Sequence, residues 1–431
     1  GGERKVYSQW RGPIVGGLSV FVLLYMLIAG MLSNVLVRWL VPKRYRTEAF
    51  MKKKVCLILF VAMLIFAVSV MVARTFMYHN FFLMASKLLI EYAWLLCAIF
   101  FSLLVRLPGE QIKSGFRIYA PIMLMSFIVI TFRIIFIPNN LVMLIFPPIL
   151  LAFTVWQWRV VKRHNANIPR SDIFYTWISL AIMVFSTASA LYGYVLLAVQ
   201  VLIWWMFQLS CIQTITCVYD MLAQYEKRYL AHKIHSEADA EKAKKGSMLS
   251  IITVSHNKHI NVTWFYDFVY MALVPMLSVF SLLLSIWWAA DVFDLTATVW
   301  NIFMFNFLNV TGVVQLSIGK MVMVLSQFFL FRYINYLVKS LYHKYHKSKV
   351  VVNGKPNFTL ANNIIAICCW GLYFIISIKL LKIPSTAISV ISAGLATGVG
   401  FAMKDLLENF FYGISLMTGR CLLYTSDAAD E

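Results

Sequence analysis

Eleven apolar runs, each long enough to cross a bilayer, leave this chain few folds to choose from. They fall at about 16–40, 55–73, 81–105, 118–137, 140–158, 173–193, 195–217, 265–290, 319–339, 361–381 and 385–418. A helix rises about 1.5 Å per residue, so about 20 apolar residues match the hydrocarbon core of a membrane. Helices also satisfy their own backbone polar groups, which lipid cannot do for them. The expected fold is therefore an all-α polytopic membrane protein with about eleven transmembrane helices. Several connections are very short. Pro138-Asn139-Asn140 separates the fourth and fifth runs, and Tyr192-Gly193-Tyr194 the sixth and seventh.

Charge tests that count. The chain carries a net charge of +20 although only 13% of its residues are charged. In so apolar a protein this excess points to loop topology rather than to nucleic acid. Arg38 to Lys54, Arg106 to Arg117, Arg159 to Arg170, Lys227 to Lys258 and Arg332 to Lys355 fill the odd-numbered connections. Together these hold 27 of the 38 basic residues. The even connections hold only Arg74, Lys379 and Lys382. By the positive-inside bias the odd connections are cytoplasmic, the N-terminus is outside and the last run ends inside. Beyond the seventh run, the mixed charges from Tyr219 onward predict a solvated helical extension. The eighth connection, 291–317, has no basic residue and holds Trp300, Phe303, Phe305 and Phe307, so it reads as an interfacial or re-entrant piece.

Within the runs, Lys87 and Glu91 sit one turn apart in the third, and Arg133 lies near the outer end of the fourth. Charges at depth are costly and often functional, which suits a proton or ion relay. The competing reading is an internal Lys87–Glu91 pair that fixes helix packing, with Arg133 snorkelling to the surface. Six of the seven cysteines lie in apolar runs without metal-type spacing, which makes them small core residues rather than disulfide or zinc ligands. The sequence has no H-E-x-x-H pair, phosphate-binding glycine loop, nucleophile elbow or catalytic carboxylate pair. Nothing in it asks for an enzyme, a cofactor or a metal.

The last run differs from the others. From Ser385 to Met417 a continuous helix would be about 50 Å long, too long to stand straight in a bilayer. It is apolar and rich in small residues up to Met403, then charged and amphipathic. At about 100° per residue, Ala393, Ala396 and Gly400 fall on one flank and Gly394, Gly398 and Ala402 on the other. Between them runs a stripe of Val390, Thr397, Phe401, Lys404 and Glu408, while Leu395, Val399 and Met403 face away. Two opposed close-approach flanks allow a helix to pack against copies of itself around an axis, leaving one face on a central pore. The same small residues also suit a helix buried in a single-chain transporter bundle, and geometry alone leaves both open.

The run G-x-G-F-A-M-K-D-L-x-x-N-F-x-x-G, within Ile388 to Arg420, resembles the pore helix of the small-conductance mechanosensitive channel (MscS) family, most closely its larger multi-span MscK-type members. The segments SIGKMVMVLSQFFLFRYINYL and NFTLANNIIAICCWGLYFIISIKLLKIP resemble the two spans that accompany it, so the likeness covers about Leu316 to Arg420. It implies a homoheptameric channel of a bacterial inner membrane, opened by tension, that releases ions and small osmolytes on hypo-osmotic shock. Membrane lipids are then its partners. By position Thr397 and Phe401 match the family's apolar constriction rings, and a threonine there makes its ring wetter. Ala393, Gly394, Gly398, Gly400 and Ala402 match the interlocking positions, to which the flank analysis adds Ala396. Asp405 replaces a kink glycine of some members, which leaves Gly413 as the expected hinge. The implied organisation is 1–290 as tension-sensing spans, 291–317 as a periplasmic connection and 318–420 as the channel core, with its pore helix at 385–418. Residues 421–431, CLLYTSDAADE, resemble translated adapter DNA and are expected to be non-native, as is the Gly1-Gly2 start. The rival function is a secondary transporter built on the Lys87–Glu91 pair, but no internal repeat with paired broken helices supports it.

Overall fold

A computed structural model describes residues 24–39 (26 excepted), 48–76, 80–136, 140–163, 168–230, 260–310, 314–349, 358–383 and 385–417. These residues form α1 (Leu27–Trp39), α2 (Glu48–Phe76), α3 (Asn80–Arg106), α4 (Ile112–Thr131), α5 (Asn140–Lys162), α6 (Arg170–Leu191) and α7 (Val195–Tyr225). They continue with α8 (Ile260–Phe268), α9 (Val274–Val292), α10 (Thr296–Met304), the strands β1 (Asn306–Val310) and β2 (Val314–Ser317), and α11 (Ile318–Lys349). The last three helices are α12 (Phe358–Leu380), α13 (Ser385–Ala402) and α14 (Lys404–Met417). Short π-helical turns extend α4 (Phe132–Phe136) and α7 (Glu226–Leu230) and join α8 to α9 (Val269–Leu273).

This is an all-α polytopic membrane fold with one small hairpin. Among the described residues nine helices are long and apolar enough to cross a membrane, ten if α13 and α14 form one bent span. The first expected run is represented by the shorter α1. The solvated extension of the seventh run is seen as far as Leu230; residues 231–259 of that connection, the Gly1-Gly2 start and the 421–431 tail lie outside the described residues.

The described residues divide into two compact units. One is drawn from Gly1–Ile302 and Leu325–Cys369, the other from Phe303–Val324 and Trp370–Glu431. In the first unit α7 is central: α3, α6 and α9 pack along it, α2 packs on α3, and α5 pairs with α6. Leu95, Ile99, Ala198, Ile203, Phe207 and Leu209 are fully enclosed there. The α7–α9 seam uses small polar residues. Ser285 Oγ donates to Gln208 Oε1 at 2.6 Å, and Gln208 Nε2 reaches Ser281 Oγ at 3.4 Å. Ser281, Ser285 and Ala289 recur every four residues and are buried, which lets the two backbones approach closely. Cysteines serve the same packing: Cys56 Sγ donates to Phe100 O and Cys217 Sγ to Ala98 O. Cys368 is the exception, exposed on α12.

Helix ends fall where the sequence places turns. Gly193 takes φ +92° and the Tyr194 N–H returns to Ser189 O at 2.9 Å, closing α6 with a left-handed cap. Asp294 does the same after α9, with φ 56° and the Leu295 N–H on Ala290 O.

In the second unit the eighth connection is not only helical. After α10 the chain makes an antiparallel hairpin in which Asn306 faces Ser317 and Val310 faces Val314, with an irregularity between Asn306 and Leu308. The Ser317 hydroxyl accepts from the Lys320 N–H at 3.3 Å and caps α11.

Candidate functional site

The small-residue segment forms α13, and its described side chains, apart from partly covered Ile388, are exposed. An added Cβ at Gly394, Gly398 or Gly400 would meet no atom within 4 Å. Ala393, Ala396 and Ala402 are exposed as well, so among the described residues both flanks of the helix are open. On the intervening stripe Phe401 is 75% exposed and Val390 74%. The Thr397 hydroxyl donates to Ala393 O at 2.8 Å, so its proton is spent on its own helix and not offered to the stripe.

The break in the long helix is not at Gly413. The chain bends by 59° between α13 and α14, with Met403 at the junction, and Gly413 lies inside α14. The physical reason is local. Gly398 and Gly400 weaken the last turns of α13, and Asp405 favours a new helix start because its carboxylate sits in the positive first turn of α14. The Lys404–Glu408 pair, 3.8 Å apart, supports that turn. The bend coincides with the change from apolar to amphipathic sequence.

The intramembrane charges pair differently from the sequence expectation. Lys87 makes its ion pair with Asp291 at the end of α9, not within its own helix with Glu91. The choice joins α3 to α9 and keeps both charges partly solvated. Arg133 does not reach out to the surface. Its guanidinium donates to Val292 O at 3.1 Å and lies 4.7 Å from the centre of the Phe293 ring. A cation at the carbonyl end of α9 is favoured by the helix dipole and by the ring face. Lys87 and Arg133 thus clasp the same helix end.

A second network went unnoticed in the sequence. Arg106, which ends α3, donates from Nη1 to both Asp172 oxygens at 2.7 and 2.8 Å and from Nε to Asp220. Tyr119 Oη donates to Asp172 Oδ1 at 2.7 Å, and Gln213 Nε2 donates to Tyr119 Oη at 2.7 Å. Asp172, Tyr119 and Gln213 are each at most 2% exposed. Five residues from α3, α4, α6 and α7 are locked at the end of the bundle that carries the odd-numbered connections. Arg106 reads as a loop charge because it closes an apolar run. The signal that could have found the network is an aspartate, Asp172, opening another apolar run, with Gln213 deep inside a third.

A further set of hydrogen bonds fastens α11 to α8. Tyr333 Oη donates to Trp264 O at 3.0 Å and Tyr336 Oη to Asp267 Oδ2 at 3.1 Å.

No protein-family model, curated protein or solved structure matches this chain.

Proposed function

We propose that the chain is the membrane part of a tension-gated channel, in which α13 helices from several copies, seven by the family resemblance, line a central pore that releases ions and small osmolytes. One observation carries the reading: among the described residues the glycine positions of α13 have open space around them. Small residues on a membrane helix allow close backbone approach, which serves packing and not lipid contact. With both flanks open, copies of the same helix are the fitting neighbours. A helix buried in a one-chain bundle would have its glycines against its own chain.

In this reading Phe401 rings form a narrow apolar constriction that dewets in the closed state. Thr397, its hydroxyl tied back to Ala393 O, forms the adjacent ring. The odd-numbered connections lie in the cytoplasm of a bacterium, the N-terminus in the periplasm, and the pore helix ends inside. Tension favours the state of larger in-plane area. The buried Arg106 network keeps α3, α4, α6 and α7 moving as one body. The Tyr333 and Tyr336 hydrogen bonds give that body a grip on α11, which leads into the channel core. Tilting of the bundle then draws the α13 helices apart along their glycine flanks.

The test is patch recording under suction in cells lacking their own tension-gated channels. Pressure-dependent unitary currents are expected, and Phe401→Ser should lower the threshold or leave the pore leaking. Silence from well-expressed, assembled protein would overturn the reading and favour a transporter, in which the Lys87 and Arg106 charge clusters would carry the coupling.

A further inference from the structure

The connection between α9 and α11 runs from Leu295 to Leu316 without one charged side chain. Such a run normally crosses a membrane, but this one is folded as α10 and a two-stranded hairpin. Apart from Phe303, its aromatic side chains face outward: Phe305 is 66% and Phe307 52% exposed, with Met304 beside them at 43%. The irregularity between Asn306 and Leu308 is what turns Phe307 out, since a bulge re-aims the side chain it carries.

The piece is also rigidly built. The first charge after the hairpin, Lys320, is turned inward, donating from Nζ to Gln315 O at 3.0 Å and Asn306 Oδ1 at 3.3 Å. That lysine ties β1, β2 and the start of α11 together. Phe303 is buried, and Gly319 lies beside its backbone, where an added Cβ would stand in ordinary contact, 3.4 Å from Phe303 O.

Depth follows from chemistry. A two-stranded sheet has unpaired N–H and C=O groups along both outer edges, which the hydrocarbon core does not tolerate. Exposed phenylalanines without charge are equally unsuited to bulk water. Headgroup depth satisfies both, and the piece is joined along the chain to two helices long and apolar enough to span a membrane. We infer that the described residues 303–310 and 314–320 form a lipid anchor. It sits in the interface of the leaflet where α9 ends and α11 begins, with Met304, Phe305 and Phe307 inserted among the acyl chain ends. The rigid tie to α11 makes it a fixed point at which that leaflet holds the helix.

The test replaces Phe305 with benzoyl-phenylalanine in the full chain and irradiates it in native membranes, with Leu372 on α12 substituted in parallel as a lipid-facing control. Phospholipid adducts at both positions are the expected result. Cross-links from position 305 to a second copy of the chain would overturn the inference in favour of a subunit contact. So would an unadducted position 305 beside an adducted Leu372 control. Phe307→Cys in a cysteine-free chain supplies an independent readout. It should resist a membrane-impermeant maleimide applied from either side, and rapid labelling would place the hairpin in water.

Discussion

A Cβ added to Gly115 in α4 would come within 2.5 Å of Leu103 and 2.8 Å of Leu107, whereas one added to Gly398 in α13 would meet nothing within 4 Å. Both glycines lie in apolar helices of the same chain. The first is a contact: it lets α4 settle against the end of α3, where the buried Arg106 network begins. The second has no such neighbour among the described residues. On the proposed function α13 finds its neighbours in other copies of the chain, while the bundle around α7 needs none. On the same proposal, that contrast separates what is built to stay together from what is built to move.

Variants that break the bundle should show the largest effects, and on the single chain. Arg106→Gln leaves Asp172 and Asp220 buried or half-buried without their cation. It should cost about 3–5 kcal/mol, read as earlier thermal unfolding of protein in detergent micelles. A shift no larger than that of a surface variant would mean the network does not hold α3, α4, α6 and α7 together.

Gly115→Val is the sharper comparison, because it overpacks the α3–α4 contact and should cost about 1–3 kcal/mol. Gly398→Leu, though bulkier, should leave unfolding of the single chain unchanged and instead reduce the oligomer seen by light scattering. Equal destabilisation by the two would erase the distinction.

The smallest effect belongs to the surface. Lys52 Nζ lies 2.8 Å from Glu110 Oε1 and holds that carboxyl below the usual carboxylate range. A lowered native value means the pair stabilises above the ordinary carboxylate range and loses that contribution as pH falls through the lowered value. Both side chains are exposed, so Glu110→Gln should leave the unfolding temperature unmoved at neutral pH.

Much of the fold was legible because lipid imposes length and hydropathy on every span. The turn at Tyr192-Gly193-Tyr194 was legible too, since only a residue at ease in the left-handed region closes α6 so tightly. Packing partners were harder to read, because core and lipid both select apolar residues. Leu284 of α9 is 40% exposed while its neighbour Ser285 is fully buried, the reverse of a soluble helix. In such a helix the small polar residues mark the inside, and a search for apolar faces looks the wrong way. The charge pairs were misread for a related reason: Lys87 and Glu91 are neighbours in sequence, yet Asp291 comes from about 200 residues further on. The hairpin was hidden in an uncharged aromatic run that resembles interfacial helix. In α13 angular spacing placed small residues on two opposed flanks and left open whether copies or the same chain cover them. The bend was not foreseen, because a glycine was sought where an aspartate starting a new helix decided the matter.

The central claim is that both flanks of α13 meet copies of α13, and engineered cross-linking tests it most directly. In a cysteine-free chain, Ala396→Cys and Gly398→Cys each place one thiol on one flank; together they place a thiol on each. Under mild oxidation in native membranes the doubly substituted chain should give a ladder of covalent species rising to a closed ring, seven rungs by the family resemblance, while each single variant gives none. Monomers alone from the double variant, in membranes where the protein is well expressed, would contradict the account.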